Sequence, residues 1–547
     1  MRYFLLALLA AISGLHAQAP FRDATAESGI RAEGRGRGAS VCDFNGDGAP
    51  DLFLCFLDGP NLLYANDGTG HFTEVGYATP LAASGAAMVA LWHDLDGDGD
   101  PDVVVGNKDE PTRLYRNDGA GRFTEVTGGS SIALTARVQS GSILDFDADG
   151  RPDVYLACLN EGNRLYRNLG DLSFQEVGED AGAAVSGLNM QVLAFDYDAD
   201  HDPDLYVVRD GREPNVLLRN DGGIFTDVSA GSGANVVGDG MGVDAADYDG
   251  DGDPDLYVTN LYENYLLENR GDGTFRERGF DARVNDLGMG WGVAWLDYDL
   301  DGRPDLYVAN ETGFTVAGRR FNNVLYRNGP DGFAPVASPA DSDRGSYGVA
   351  TADFNADGRP DLYVANSGQA GQLFLNATAN DHHWVGVAAP LHARVAVWAE
   401  GVRRVGEVRA GGSFASQHAA SLHFGLGPAD KVDSLLVYGP AGDTVRYYDL
   451  ATDQTYRDGV ATRTTTAIRE LYAEPMGAYP NPTTDGSLRL ERPLGDIRVW
   501  DAAGRVVYAA AGPLDRLTLP AELRPGIYRL TGRGRNRIYS FGVILVR

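Results

Sequence analysis

The sequence predicts an all-β chain: a seven-bladed β-propeller with Ca²⁺ loops, then a small β domain and a C-terminal β-sandwich-like segment. Three observations predict it. A nine-residue acidic stretch occurs seven times, starting at Asp43, Asp94, Asp145, Asp196, Asp247, Asp297 and Asp353, in steps of 51, 51, 51, 51, 50 and 56 residues. Four short strand signals recur around each copy. Beyond Asn376 the acidic stretches stop, while alternating, turn-punctuated β patterns continue. Four short antiparallel strands repeated in phase every ~50 residues make blades. A nonapeptide β-helix has a far shorter period, and a disulfide-stapled calcium repeat needs more than the three cysteines present.

The fifth stretch reads Asp247-Tyr248-Asp249-Gly250-Asp251-Gly252-Asp253-Pro254-Asp255. Every copy places side-chain oxygens at positions 1, 3, 5 and 9, and six of seven place Gly at position 6. The candidate metal ligands are Asp43, Asn45, Asp47 and Asp51; Asp94, Asp96, Asp98 and Asp102; Asp145, Asp147, Asp149 and Asp153; Asp196, Asp198, Asp200 and Asp204; Asp247, Asp249, Asp251 and Asp255; Asp297, Asp299, Asp301 and Asp305; and Asp353, Asn355, Asp357 and Asp361. Converging carboxylates repel unless a hard cation lies between them, and alternating Asp with a sharp turn wraps Ca²⁺. Up to seven Ca²⁺ are expected. Solvated turns also favour Asp and Gly, but turn chemistry demands neither position 1 nor position 9.

The loop is not an EF-hand. Position 12 is Leu54 in the first copy and Val258 in the fifth rather than Glu, and the run that follows, such as Leu256-Tyr257-Val258, reads as a strand. Loops one and seven carry neutral Asn45 and Asn355 at position 3. Loop four carries His201 where the others have Gly, so a strained turn is expected there; imidazole suits softer metals than Ca²⁺, and His201 is read as a turn residue.

Small-residue strands such as Gly292-Val293-Ala294-Trp295-Leu296 precede the loops, and the Leu-Tyr-Val strand follows. A third strand, Leu114-Tyr115-Arg116-Asn117, turns through Asp118-Gly119-Ala120-Gly121 into a fourth, Phe123-Thr124-Glu125-Val126. These loops and hairpins resemble the FG-GAP/VCBS repeats of integrin α-subunit propellers and secreted bacterial proteins. The resemblance implies calcium in the blade hairpins of a propeller spanning 20–379. Phe21-Arg22-Asp23 aligns with the fourth strand Phe123-Thr124-Glu125 yet has no blade before it, while repeat seven ends on its third strand at Gln372–Asn376. Residues 21–25 are therefore expected to pair with 372–376 and cover an open edge. The rival strand is His382–Val387.

Formal charge is −31, and 29 of the 77 acidic residues lie in the seven loops. Seven divalent ions would bring −31 to −17, still acidic, which argues against nucleic acid as a partner. Arg2 followed by the apolar run Phe4–Ile12 reads as a signal peptide over 1–19, and no other stretch is apolar enough to span a membrane. Cys42, Cys55 and Cys158 read as small buried residues, although Cys42 and Cys55 bracket the first loop.

Residues 380–451 read as a small β domain. Gly411-Gly412-Ser413-Phe414-Ala415-Ser416-Gln417, His423-Phe424-Gly425-Leu426-Gly427 and the turn Pro440-Ala441-Gly442 resemble the ASPIC/UnbV domain, which follows FG-GAP repeats in the cartilage acidic proteins. Ser416, Gln417 and His423 lack a motif acid partner and read as strand-end groups satisfying backbone. A polar, Thr-rich linker is expected over 452–477. From 478 to 547, Tyr479-Pro480-Asn481-Pro482, Gly504 to Val507, Pro525-Gly526-Ile527-Tyr528 and a terminal apolar strand resemble the type A sorting domain of type IX secretion. This implies the type IX secretion machinery as a partner and a secreted or outer-membrane-attached destination.

Together these features predict a secreted or cell-surface calcium-binding propeller that acts as a non-catalytic binding or adhesion scaffold for an extracellular protein or glycan. No nucleophile elbow, zinc helix or phosphate loop occurs, and no catalytic residue is assigned. The alternative is an extracellular polysaccharide lyase or hydrolase, or a glycan-binding lectin, on the same scaffold.

Overall fold

The computed structural model describes residues 19–457 apart from positions 120, 314, 316, 317, 339, 341, 342 and 441, and beyond 457 mainly strand segments. The expected signal peptide, but for Ala19, lies outside the described residues, as do the Pro480–Pro482 and Gly504 motifs of the C-terminal segment.

Each acidic stretch joins the first two strands of a four-stranded antiparallel unit. In repeat five, Gly240–Ala246 pairs with Asp255–Asn260, then Tyr265–Asn269, then Phe275–Glu277. Repeats one to six share this order, with links between neighbouring units in repeats two to four. Position 9 opens the second strand opposite the last residue of the first, as Asp51 does opposite Cys42 and Asp255 opposite Ala246. The first strands of successive repeats pack side by side, and Ser346–Ala352 of repeat seven packs against Gly36–Cys42 of repeat one. The array is therefore a closed, propeller-like ring.

Small residues dominate the first strands because these run nearest the axis. A Cβ on Gly242 would meet the Trp291 carbonyl of the next unit, and one on Gly348 the Arg37 carbonyl. The second strands are buried on both faces and carry large residues, and Tyr hydroxyls there find backbone partners. Tyr155 donates to Ala183 O at 2.7 Å, Tyr206 to Ala234 O at 2.8 Å and Tyr307 to Ala340 O at 2.8 Å.

The ring closes through the N-terminal strand. Phe21–Asp23 pairs antiparallel with Gln372–Asn376, Phe21 opposite Asn376 and Asp23 opposite Phe374. Phe21 is buried against Tyr298 of repeat six. The rival segment pairs elsewhere: His383–Ala388 joins Leu422–Gly427 and, in parallel, Gln454–Arg457.

The second domain packs that sheet against another, Val402–Glu407, Arg394–Ala399, Lys431–Tyr438, Thr444–Ala451 and Ile468–Leu471, over a core that includes Val385, Val397, Leu435, Tyr447 and Tyr456. The expected linker is thus corrected at its three described strands, Gln454–Arg457, Val460–Ala461 and Ile468–Leu471. Gln454–Arg457 pairs within the domain and buries Tyr456, and Ile468–Leu471 pairs with Thr444–Ala451, because alternation here outweighs polar composition.

From this domain, residues 409–419 run into the axis of the ring and touch every repeat. Gln417 bridges Ala39 O and the Val41 amide through its backbone, and its side chain receives the Trp92 N–H at 2.9 Å and donates to Trp92 O at 3.0 Å. Ile143 donates to Ala410 O at 3.0 Å, Ala415 to Gln191 Oε1 at 3.1 Å and Val293 to Ser413 Oγ at 3.1 Å. Arg409 donates to Ala245 O at 2.6 Å, and Ala419 to Thr351 O at 3.0 Å. Phe414 is fully buried in the channel, 4.7 Å from the Trp291 ring and in one cluster with Met88, Met190 and Met241.

The C-terminal strands centre on Ser487–Trp500, which pairs with Leu514–Thr518 along its first part and with Val506–Ala510 and Gly526–Arg533 along its last; Ile538–Leu545 pairs with Gly526–Arg533. Cys42, Cys55 and Cys158 are free and buried. No helix among the described residues is long and apolar enough to cross a membrane.

Candidate metal centres and the domain seated on them

Each loop is shaped by its own carboxylates accepting backbone N–H groups. In loop one, Asp43 accepts from Asp47 N at 3.1 Å and Gly48 N at 3.0 Å, Asn45 Oδ1 from Asp47 N at 3.0 Å, and Asp47 from Ala49 N at 2.9 Å. Asp51 is fully buried and pinned at both oxygens, to Phe44 N at 3.2 Å and Asn66 N at 2.8 Å. The pattern recurs: Asp102 binds Leu95 N and Asn117 N, and Asp361 binds Phe354 N and Asn376 N. Position 9 thus ties the loop to the sheet, while positions 1, 3 and 5 curl the loop around a common centre.

Acidic side-chain oxygens converge in five loops. The oxygens of Asp94, Asp96 and Asp102 lie within 4.8 Å of one another, as do those of Asp145, Asp147 and Asp153; Asp196, Asp198 and Asp204; Asp247, Asp249 and Asp251; and Asp297, Asp299 and Asp305. Burial pushes up five of the loop carboxyls in particular, and neighbouring carboxylates add to it: Asp102 and Asp196 to about 7, Asp153 to about 8, Asp204 and Asp255 to about 9. Hard oxygen donors crowded to this degree fit a hard cation. These clusters could hold metal ions.

The loops are not equivalent. In loops one and seven, Asn45 and Asn355 donate to Asp47 and Asp357, tying down one carboxylate oxygen each. In loop three, Arg167 pairs with Asp147 at 2.6 Å and Arg151 with Asp149; in loop six, Arg327 pairs with Asp299 at 2.5 Å and Arg303 with Asp301. These guanidinium groups compete for the oxygens a cation would use. His201 holds φ at +77°, close to the +84° to +101° of its glycine counterparts, and donates its N–H to Asp196 at 3.1 Å. It is a turn residue, and its ring stacks on Tyr438 of the second domain at 6.2 Å.

One set of residues escaped sequence reasoning. The Asn at or next to the end of each third strand donates its side-chain N–H to the position-2 carbonyl of a neighbouring unit: Asn117 to Phe44 O, Asn168 to Leu95 O, Asn220 to Phe146 O, Asn269 to Tyr197 O, Asn328 to Tyr248 O and Asn376 to Tyr298 O. Asn66 donates to Phe354 O at 2.8 Å and completes the circle. The recurrence of Asn at that strand end was the available signal.

The second domain covers loops four to seven. Arg394 reaches Gly252 O, Gly427 N donates to Leu300 O at 2.7 Å, and His423 Nε2 bonds Gly358 O at 2.9 Å. Burial lowers His423 to about 4, so the ring is neutral. Ser416 Oγ accepts the Ala39 N–H at 3.2 Å. Ser416, Gln417 and His423 therefore satisfy backbone groups, as their sequence context suggests. A cavity of 270 Å³ remains between the domain and the ring, lined by Trp384, His392, Glu407, Arg409 and His418 among others. Burial alone would raise Asp244 beneath it, but His418 and Arg409 hold this carboxyl below its ordinary value.

Family models match both the ring and the second domain. A model of FG-GAP-like repeats matches residues 43–105, 94–156, 145–207, 196–258 and 253–308, and an FG-GAP repeat model matches 346–375. A model of the ASPIC and UnbV domain matches 388–459. The chain carries FG-GAP repeats followed by an ASPIC/UnbV domain. Cartilage acidic protein 1 of Mus musculus is 29% identical over 194 residues, 33% of this chain and 29% of that protein, and the Homo sapiens protein is 28% identical over 194 residues. The chain thus spans under a third of the length of these relatives. Solved structures that match part of the chain include an Agrocybe aegerita lectin that recognises non-reducing terminal N-acetylglucosamine, at 18% identity and TM-score 0.40 over 57% of this chain and 82% of that one. Rhamnogalacturonan lyase YesW matches at 14% identity and TM-score 0.39, over 66% and 76%. The ASPIC/UnbV match includes residues 409–419, which fill the axis of the ring.

Proposed function

We propose that this protein is a secreted or cell-surface seven-bladed β-propeller, loaded with Ca²⁺ at the loops, that serves as a non-catalytic binding scaffold for an extracellular protein or glycan. The observation that carries this reading is the filled axis. Propellers offer a central channel, and here residues 410–417 occupy it with Phe414 fully buried, leaving outer surfaces and loop faces for recognition. The ligand sets proposed for Ca²⁺ are the position 1, 3, 5 and 9 residues of each loop, from Asp43, Asn45, Asp47 and Asp51 to Asp353, Asn355, Asp357 and Asp361.

When bound, Ca²⁺ supplies the positive charge that lets these carboxylates stay ionised at close range. The chain's own residues do the rest. Position 9 anchors each loop to its sheet, the third-strand Asn ties each unit to a neighbour, and Phe21–Asp23 closes the ring. The apolar segment at Phe4–Ile12 and the motifs of 478–547 support export by a signal peptide and type IX sorting. An array of glycans and surface proteins, probed in calcium and in chelator, tests the scaffold reading: calcium-dependent capture of one ligand class supports it. Turnover of any member of a polysaccharide panel, read by released reducing ends or unsaturated products, overturns it in favour of an enzyme.

A further inference from the structure

We propose that the ASPIC/UnbV domain is a lid that divides the seven cation loops into two classes. Loops one to three are open, loops four to seven are occluded, and cations in the occluded four hold the lid and its axial plug in place. This rests on the reading that the loops bind calcium.

The division shows first at position 6. The turn glycines Gly48, Gly99 and Gly150 of loops one to three face open space, with no atom within 4 Å of where a Cβ would stand. At Gly252, Gly302 and Gly358 a Cβ would collide with Arg403, Arg404 and Trp384 of the lid. Loop four, the one with His201 at this position, stacks that ring on Tyr438. All four of the later loops therefore meet the lid at the same point of their turn.

Backbone contacts repeat the division independently. The lid binds Gly252 O, Leu300 O and Gly358 O, and Glu407 accepts the Asp196 N–H at 3.2 Å. Asn380 and His382, at the lid's root, both bond Asp299 O, at 2.6 and 2.7 Å. Gly425 lies so close to Asp297 and Leu300 that a side chain there would strike both. Asp196, Asp247 and Asp297 at position 1 of loops four to six are buried, while Asp43, Asp94 and Asp145 of the open loops, and Asp353 of loop seven at the lid's margin, are partly exposed.

Without a cation the carboxylates of a loop repel, and the turn that presents these carbonyls expands. A loop whose shape is read by the lid then couples two equilibria, and the coupling is reciprocal: docking tightens the cation, and the cation tightens docking. The plug, residues 409–419, belongs to the lid, so undocking frees the axis. Loops one to three carry no such linkage.

The test uses the full chain and Ca²⁺ as the probe. Asp299→Ala and Asp96→Ala remove position 3 from an occluded and an open loop. Hydrogen exchange at the Val41, Ala415 and Gln417 amides, which join plug to ring, is expected to rise at least about tenfold in Asp299→Ala and to stay unchanged in Asp96→Ala. Equal exchange in the two variants overturns the proposal. Should Asp299→Ala not fold, the double variant Trp384→Ala/Tyr438→Ala, which touches no ligand, is titrated with Ca²⁺. The proposal expects two or more sites to weaken by about 5- to 150-fold while at least three stay as tight as in the parent. An unchanged isotherm, or one in which all sites weaken alike, contradicts it. A parent chain that binds no Ca²⁺ at all refutes the calcium reading itself, a distinct failure.

Discussion

Phe414→Ala probes the plug directly. The side chain is fully buried on the axis, edge-on to Trp291 at 4.7 Å and near Tyr347 at 6.5 Å. Truncating a buried Phe costs about 3–5 kcal/mol, of which an aromatic pair supplies about 0.5–1.5. Met88, Met190 and Met241 share the cluster, and flexible thioethers can fall into the space, which places the expected loss near the lower end, about 3 kcal/mol. The assay is urea unfolding at fixed, saturating calcium, with the slope checked against the parent so that a changed denatured state is not mistaken for lost packing. A loss below about 1 kcal/mol would refute the packing of Phe414 in the axis.

Three further outcomes are expected. Asn117→Ala leaves the buried Phe44 carbonyl without its donor and should cost about 1–3 kcal/mol in the same urea assay; a neutral result shows that the inter-unit bond contributes nothing. Asp249→Ala should lower the melting temperature in calcium more than His201→Gly, which relieves a φ of +77° while losing the Tyr438 stack; the reverse order would mean the loop chemistry is misassigned. In excess chelator, the raised carboxyls give the folded state protons that the unfolded chain lacks, so their contribution is fully present below about pH 4 and is lost as pH rises through about 7 to 9. Melting temperature without calcium should therefore fall from about pH 5 to about pH 9, and saturating calcium should flatten the fall; a chelated protein that gains stability over this range contradicts the assignment.

Periodicity carried most of the fold. The steps between Asp43 and Asp353 place each loop between two strands, and the likeness of Phe21-Arg22-Asp23 to Phe123-Thr124-Glu125 reveals the closing strand, since both depend on local pattern. The candidate ligands were legible for the same reason, each loop being a contiguous stretch. What stayed hidden depends on distant partners. Asn117 reads only as a strand end until Phe44, 73 residues away, is placed beside it. Gln417 reads as a strand-end amide, and its partner Trp92 lies 325 residues earlier. Residues 454–457 look like linker because polar composition conceals an alternation that buries Tyr456. His201 is the converse case. The sequence exposes its odd place in the turn, while its stacking on Tyr438 needed the assembled domains.

Metal content measured alongside the melting curve decides whether cations hold this ring together. Protein purified in calcium, freed of loose ions and assayed by mass spectrometry should carry several and up to about seven Ca²⁺ per chain. Excess chelator should lower its melting temperature markedly, and added calcium should restore it with a concentration dependence set by mass action. A chain that retains no Ca²⁺ and melts identically with and without chelator would show that the ring stands without cations.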